Sequence, residues 1–372
     1  MSDRILITGG AGFIGSHLAR RLVRAGCSVR VLDSMVPQVH GHGEVRPPYL
    51  DEQVELMIGD IRDVVLVRRA LENVDRVVHL AARVGVGQSM YEIAEYMSVN
   101  TVGTSVLLEA LAERPVEQLV VASSMSVYGE GLYRDETGND VATAMRDRAL
   151  VTAGVWNPVG GGGACLTPVP TPEWKPVALT SPYALGKYDQ ERLCLIAGEA
   201  YGIPTVALRL FNVYGPDQAL SNPYTGVLAI FAAQLLNGRA PMIFEDGLQR
   251  RDFVSVHDVA AAFHLALTSS AAAGSVINIG SGRDVTVQEV AAQLARLLGR
   301  DDLVADTTGT YRVGDVRHCF ADVRRAHEVL GYQPAVELEA GMAELAEWLA
   351  TQVAIDRVDA ARHELERRGL TV

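Results

Sequence analysis

Arg4-Ile-Leu-Ile-Thr8-Gly9-Gly10-Ala11-Gly12-Phe13-Ile14-Gly15 decides how the rest of the chain is read. An apolar run, a glycine turn and the start of an amphipathic stretch follow one another without a break, which is the order of buried strand, tight loop and helix. In that order Gly9 allows the turn and Gly12 lets backbone approach a pyrophosphate. Gly15 permits close packing of helix on sheet, and Phe13 and Ile14 open a helix whose positive end suits phosphates. The spacing alone is weak, because 35 glycines produce it by chance about 0.3 times in a chain of this size. Its place between strand and helix gives it meaning, as does Asp33 closing the next strand about 20 residues on. At that position a carboxylate accepts hydrogen bonds from the adenosine ribose and repels a 2′-phosphate, which selects NAD over NADP.

Working outward, Ser28–Asp33, Val54–Gly59, Asp75–Leu80 and Gln118–Ser123 read as further buried strands, rich in Val, Ile and Leu. A helix is expected over Ile93–Glu113, where Tyr96, Val99, Gly103, Val106, Leu107 and Ala110 share a face. Such alternation means a doubly wound parallel sheet of Rossmann type with right-handed crossovers. Residues 130–180 break the pattern with Gly160–Gly163 and prolines at 158, 168, 170, 172 and 176. This long excursion is expected either to cover the ligand or to be partly disordered. Helix returns over Pro182–Tyr201 and strand over Thr205–Leu210. Beyond Pro216, shorter helical patterns at Val227–Asn237, Val259–Ser269, Val287–Leu298 and Leu338–Thr351 suggest a smaller lobe. The expected division is a dinucleotide-binding domain over 1–208, re-entered near 250–268, and a mainly substrate-binding lobe over 209–372.

Composition narrows the partners. Thirty-three basic against 45 acidic residues give a net charge of −12, which argues against nucleic acid and anionic membrane surfaces. There is no apolar run of about 20 residues to span a membrane and no secretion signal at the N-terminus. Cys27, Cys165, Cys194 and Cys319 are scattered, which disfavours a disulfide scaffold or a thiolate zinc site, suits a reducing cytoplasm and leaves no metal to assign. Only two of the 33 basic residues are lysines, Lys175 and Lys187. A chain that uses arginine for ordinary surface charge needs a chemical reason for each.

Lys187 has one. In Tyr183-Ala-Leu-Gly-Lys187 the i, i+4 spacing places phenol and ammonium on one helix face. A nearby cation favours the phenolate, and bringing a tyrosine pKa from about 10 to about 7 takes roughly 4 kcal/mol. Composition predicts such a pair about 0.06 times by chance. Upstream, Ser123-Ser124 closes a strand, where a hydroxyl can meet a substrate oxygen. Asp60-Ile61 is placed to reach the adenine edge, and Leu80-Ala81-Ala82 leaves room for a cofactor across the sheet. His79 reads as a structural histidine. Asn100, an amide inside a helix, suggests a side-chain role.

Together with Val127-Tyr128-Gly129, Arg209-Leu-Phe-Asn212-Val-Tyr-Gly-Pro216, Arg251-Asp252-Phe253-Val254 and Arg312-Val-Gly-Asp315, these motifs resemble the extended short-chain dehydrogenase/reductases, in their nucleotide-sugar epimerase/dehydratase branch. The resemblance spans roughly residues 3–350. It implies NAD as cofactor, with Gly9, Gly12, Phe13, Ile14, Gly15, Asp33, Asp60, Ile61, Leu80, Ala81, Ala82, Asn100, Tyr183 and Lys187 around it. It implies Tyr183 as acid/base, Lys187 on the nicotinamide ribose and lowering the tyrosine pKa, and Ser124 on the reacting sugar oxygen. Asn212, Arg251 and Arg312 match positions that bind the substrate diphosphate, with Val84 and Ser126 also facing substrate. A homodimer through helices 92–113 and 182–201 is implied as well.

Sugar 4,6-dehydratases of this branch carry Asp-Glu directly after the strand-end hydroxyl. Met125 and Ser126 stand there instead, which disfavours dehydration. The expected reaction is NAD-dependent C4 epimerisation of a dTDP- or UDP-linked sugar, and Val84-Gly-Val-Gly-Gln-Ser89 is reminiscent of epimerases acting on dTDP-linked rhamnose-type sugars. A nucleotide-sugar 4-ketoreductase is the main alternative, and a non-catalytic nucleotide sensor a third.

Overall fold

Seven parallel strands make the central sheet of the computed structural model, which describes residues 3–41, 46–220, 222, 226–352 and 358–371. They are β1 (Arg4–Thr8), β2 (Ser28–Asp33), β3 (Glu55–Ile58), β4 (Arg76–His79), β5 (Gln118–Ser124), β6 (Thr205–Leu210) and β7 (Val276–Ile279). Their spatial order is β7-β6-β5-β4-β1-β2-β3. The order reverses between β1 and β4, and a doubly wound sheet opens its ligand crevice beyond the strand ends at such a point. Every residue of β5 and β6 is buried, which is why these strands read as apolar without alternation.

Two cores cover the sheet. On one face, α1 (Phe13–Arg24) contributes Leu18 and Leu22 to a cluster with Val31, Val206 and Ile277. On the other, α2 (Gly103–Glu113) and α3 (Pro182–Tyr201) bring Leu107, Leu111, Cys194 and Leu195 against Leu6, Val77 and Leu119. The first core also takes Val259 and Phe263 from α4 (Val256–Thr268), and Ala326 and Leu330 from the helix Arg324–Leu330. The same core takes Ile277 and Ile279 from β7, and Tyr332. A third core, built by helices Val227–Leu236, Val287–Leu297 and Leu338–Leu349, holds the smaller lobe.

The expected helix over Ile93–Glu113 is continuous but not uniform. An α-helical turn, Ile93–Met97, leads into a π-helical segment, Ser98–Val102, and then into α2. Such widened turns recur at functional sites, and this one contains Asn100.

The excursion over 130–180 carries secondary structure, and among its described residues Thr180 lines the ligand crevice. Leu132–Arg134, Asp140–Val141 and Thr167–Val169 form a small antiparallel sheet. Asp147 caps the short helix Arg148–Thr152 by accepting from the Ala149 and Leu150 N–H groups. A buried ionic cluster ties the segment to the smaller lobe: Arg146 bonds Glu130 at 3.0 Å and Glu245 at 2.6 Å, while Arg317 bonds Glu245, Asp246 and Asn157 at 2.6–2.9 Å. These carboxylates satisfy guanidinium groups that burial alone would make costly.

Candidate active site

The glycine loop shows three different uses of a missing side chain. A Cβ on Gly9, whose φ is +70°, would lie 2.7 Å from the Ala81 nitrogen, and one on Gly15 would lie 2.5 Å from the Gly10 Cα. Those two keep loop, sheet and helix together. A Cβ on Gly12 would meet only the Gly9 carbonyl, at 3.4 Å, so the space it leaves belongs to the cavity. Gly12 is also the N-cap of α1, which has neither a capping side chain nor an acid in its first turn. A helix start with its positive end bare suits an anion. Asp33, at the end of β2, accepts from the Ala11 and Met35 N–H groups, both at 3.0 Å. These residues fit a dinucleotide pyrophosphate and its adenosine ribose.

A cavity of about 800 Å³ runs from this loop across the sheet edge to the smaller lobe. Gly9, Gly12, Phe13, Ile14, Gly15, Asp33, Asp60, Ile61, Leu80, Ala81 and Ala82 line it, as do Val84, Ser124, Ser126, Tyr183, Lys187, Asn212, Arg251 and Arg312. Asn100 is different. It is fully buried behind the wall, where its Oδ1 accepts from the Arg83 N–H at 2.7 Å and its Nδ2 donates to the Arg83 carbonyl at 3.1 Å. It thus shapes the segment after β4 from behind rather than facing the cavity. Asp60 faces the cavity already paired with Arg62, at 2.6 Å, and this guanidinium holds its carboxyl below the usual range.

At the centre, Ser181 begins α3 by accepting from the Ala184 N–H at 3.1 Å, with Pro182 in the first turn. This cap sets the helix so that Tyr183 lines the same cavity as Ser124 at the end of β5. Ser124 in turn donates to the Ser126 hydroxyl at 3.2 Å, and Met125 beside it is buried in a small apolar cluster. Burial pushes the Tyr183 phenol up, and Ser124 pulls it partly back. Lys187 lies one turn further along α3 and lines the same cavity. Its Nζ is engaged with Gln190 Oε1 at 2.7 Å, and burial pushes its own pKa down to about 8.

In the smaller lobe, Arg251 donates to the carbonyls of Arg250, Val316 and Arg317, and Arg312 makes a two-pronged pair with Asp315 at 2.7 and 3.0 Å. Arg312 also lies over the Phe244 ring, 5.4 Å from its centroid. The Asn212 side-chain carbonyl is buried with no hydrogen-bond partner among the described residues. Sequence reading placed nothing at the far end of this wall, where α5 (Val358–Arg367) contributes Val358, Ala361, Arg362 and Leu365. Residues 312–313 pair with the segment after α5: the Val313 N–H donates to the Leu370 carbonyl at 3.0 Å. The only signal for this wall was the apolar spacing 358, 361, 365 within an otherwise charged stretch. Among the described residues no group of three or more His, Cys, Asp and Glu side chains is placed to hold a metal, and no helix is long and apolar enough to cross a membrane.

A bare helix start, an acid closing the second strand and a Ser-Tyr-Lys set lining one cavity are the features of an extended short-chain dehydrogenase/reductase. The profile of the NAD dependent epimerase/dehydratase family matches residues 5–280, and the chain belongs to that family, with NAD as its cofactor. Among its relatives, a dTDP-L-rhamnose 4-epimerase of Burkholderia thailandensis is 36% identical over 94% of this chain and 96% of its own. The crystal structure of a Thermotoga maritima UDP-glucose 4-epimerase with UDP-glucose superposes with a TM-score of 0.75 at 30% identity, covering 93% of this chain and 98% of that one. The UDP-glucose 4-epimerase of Thermus thermophilus in complex with NAD gives 0.74 at 29% identity, covering 94% and 100%.

Proposed function

We propose that the chain interconverts the C4 epimers of a nucleotide-diphosphate 6-deoxyhexose, dTDP-linked, and keeps its NAD through the whole cycle. The observation that carries this reading is that Ser124, Tyr183 and Lys187 line one cavity, with no carboxylate at positions 125 and 126. Tyr183, ionised, takes the proton from the C4 hydroxyl while Ser124 holds the same oxygen. Lys187 keeps positive charge beside them. NAD held at the Gly9–Gly15 loop would supply the acceptor and donor for the C4 hydride. The 4-keto sugar presents its other face, and Tyr183 gives the proton back to O4. Proton and hydride both return, so no external reductant is consumed. Dehydration also needs a proton moved at C5, and Met125 and Ser126 supply no such group.

Arg251, Arg312 and Asn212 take the diphosphate in this reading, because planar guanidinium forks match phosphate oxygens in a protein of net charge −12. Val84, Val86, Met125 and Phe211 share the cavity wall with Ser124 and Tyr183. These apolar neighbours suit a C6 methyl better than a hydroxymethyl or carboxylate, and the dTDP-L-rhamnose 4-epimerase relative supports the same choice. Exposed Ile93, Val102, Leu185 and Ile196 on the helices around α2 and α3 support a homodimer through that face, to be read by light scattering. Four free cysteines suit a reducing cytoplasm.

The test is a panel of dTDP-, UDP-, GDP- and CDP-sugars incubated with purified protein and no added cofactor, read by NMR for C4 epimers. Equilibration of a dTDP-6-deoxyhexose with its C4 epimer is expected. Turnover only of 4-keto sugars, and only with added NADPH, would make the protein a ketoreductase instead.

A further inference from the structure

We propose that Gln190 is the positioning residue for Lys187, holding the ammonium through one hydrogen-bond chain that runs to His79, Thr104 and Asn100. This rests on Tyr183 and Lys187 acting together in the reaction. Gln190 sits three residues after Lys187 on α3 and is fully buried. Its Oε1 accepts from Lys187 Nζ at 2.7 Å, while its Nε2 lies 3.1 Å from the Ala81 carbonyl and 3.0 Å from Thr104 Oγ1. The amide has one orientation that works. A flipped side chain would set oxygen against the Ala81 carbonyl and NH2 against the ammonium.

The contacts continue beyond Gln190. Thr104 donates its hydroxyl proton to the Asn100 carbonyl at 2.5 Å, so its oxygen accepts from Gln190 Nε2. His79 Nε2 lies 2.8 Å from Thr104 Oγ1 and 3.0 Å from Gln190 Nε2, so the three side chains meet at one point. On the other side of the ring, His79 Nδ1 lies 2.7 Å from Thr8 Oγ1, and Thr8 is the acceptor for the Ala81 N–H at 3.3 Å. The chain is thus continuous from the glycine-loop strand to the lysine. It also connects the catalytic helix to both ends of the wall segment 81–83, since Asn100 grips Arg83.

Other groups near Lys187 do not substitute for Gln190. His79 is neutral, its pKa pushed down to about 3 by burial and by Lys187 itself. Glu191 is spent on Arg209, at 2.7 and 2.9 Å, and on Ser123, at 2.6 Å. Cys194 is buried with its thiol pushed up to about 12, and the Tyr183 phenol is likewise raised. Asp189 takes the Thr101 hydroxyl at 2.8 Å. Among the described residues Nζ has Gln190 as its hydrogen-bond acceptor, leaving two of the three ammonium donors for the cavity.

The test compares wild type with Gln190→Met, which keeps shape and removes the acceptor, and Gln190→Glu, which keeps an acceptor and adds charge. Protein labelled with 13C at the lysine ε carbon has only two signals to titrate, from Lys175 and Lys187. Lys175→Arg assigns them. The Lys187 midpoint is expected to fall by one pH unit or more in Gln190→Met and to rise in Gln190→Glu. In turnover, Gln190→Met is expected to lose at least tenfold in kcat with the nucleotide-sugar KM within about twofold, and its basic limb is expected to move to lower pH. Gln190→Glu is expected to move that limb the other way. A Lys187 midpoint unchanged in both variants would overturn the proposal. If Gln190→Met does not fold, an unchanged midpoint in Gln190→Glu alone does so. The titration uses no sugar, so it stands or falls apart from the epimerase reading.

Discussion

The carboxylate of Asp33 accepts the Ala11 N–H at 3.0 Å, joining the end of the second strand to the middle of the glycine loop. The same side chain holds the Met35 N–H at 3.0 Å, at a residue whose φ is +51°. Asp33→Ala therefore removes more than a ribose acceptor. NAD is expected to bind more weakly and NADP to be less disfavoured, since the repelling charge goes too. Stability should fall by about 1–3 kcal/mol for two buried donors left without acceptors. Fluorescence titration with both dinucleotides and a urea melt read the two effects. An unchanged dinucleotide preference would leave Asp33 a purely structural tie.

Tyr183→Phe keeps the ring and removes the ionisable hydroxyl. Turnover is expected to drop by at least about 100-fold while NAD remains bound. Epimer equilibration followed by NMR, with cofactor content measured on the same sample, checks both halves. Near-normal turnover would remove Tyr183 from the chemistry.

The two arginines of the smaller lobe should separate. Arg312→Met leaves Asp315 without its fork, and dTDP binding by calorimetry is expected to weaken by about 1.5–3 kcal/mol with NAD affinity unchanged. Arg251→Met should weaken dTDP binding too, but it also strips three backbone carbonyls of their donor, so the melting temperature should fall with it. Wild-type nucleotide affinity in both variants would move the diphosphate elsewhere in the cavity.

Acid should destabilise the fold through its buried neutral histidines. His318 accepts the Arg250 N–H at Nδ1, at 3.1 Å, and faces Asn157 Oδ1 with Nε2. Burial and four nearby arginines push its pKa down to about 3, close to the value for His79. The unfolded chain takes up protons from about pH 6.5 downward that the fold refuses, so this stability is complete above 6.5 and is lost as pH falls. Asp252, raised to about 6 by burial, acts in the opposite direction over pH 4–6. His318→Gln isolates one group: its stability deficit against wild type should shrink by about 1.4 kcal/mol between pH 7.5 and 5.5. A deficit constant with pH would mean that His318 binds its proton equally in the folded and unfolded chain.

What sequence reading resolved depended on where the stabilising contacts lie. Arg4–Thr8, Ser28–Asp33 and Thr205–Leu210 were bounded to the residue because buried parallel strands are apolar runs with polar ends. Val276–Ile279 escaped: it has four residues, and its claim to be a strand comes from pairing with Thr205–Leu210 across the sheet. The helix Val358–Arg367 was missed for a related reason, since its few apolar positions acquire meaning only from the cavity they close. Asn100 was expected to face the cofactor; its side chain instead holds the Arg83 backbone, and no periodicity encodes that contact. Residues 130–180 resembled a flap or a disordered insert because their ties lie far away in sequence: Arg146 pairs with Glu245, and Asn157 and Glu130 accept from Arg317.

Both lysines are buried, Lys175 at 3% exposure on the Tyr128 carbonyl and Lys187 at 4% beside the cavity. The folded surface therefore offers no lysine amine to a coupling reagent, and lysine-directed cross-linkers are unsuited to reporting how copies of this chain assemble. The one lysine that opens onto the cavity is also the more reactive kind. With its pKa near 8, most of Lys187 is neutral at pH 8.5, where an ordinary lysine at about 10.4 is almost wholly protonated and inert. An amine label admitted to the cavity would thus mark a single residue, and the rate of marking would read how well a bound dinucleotide shields it.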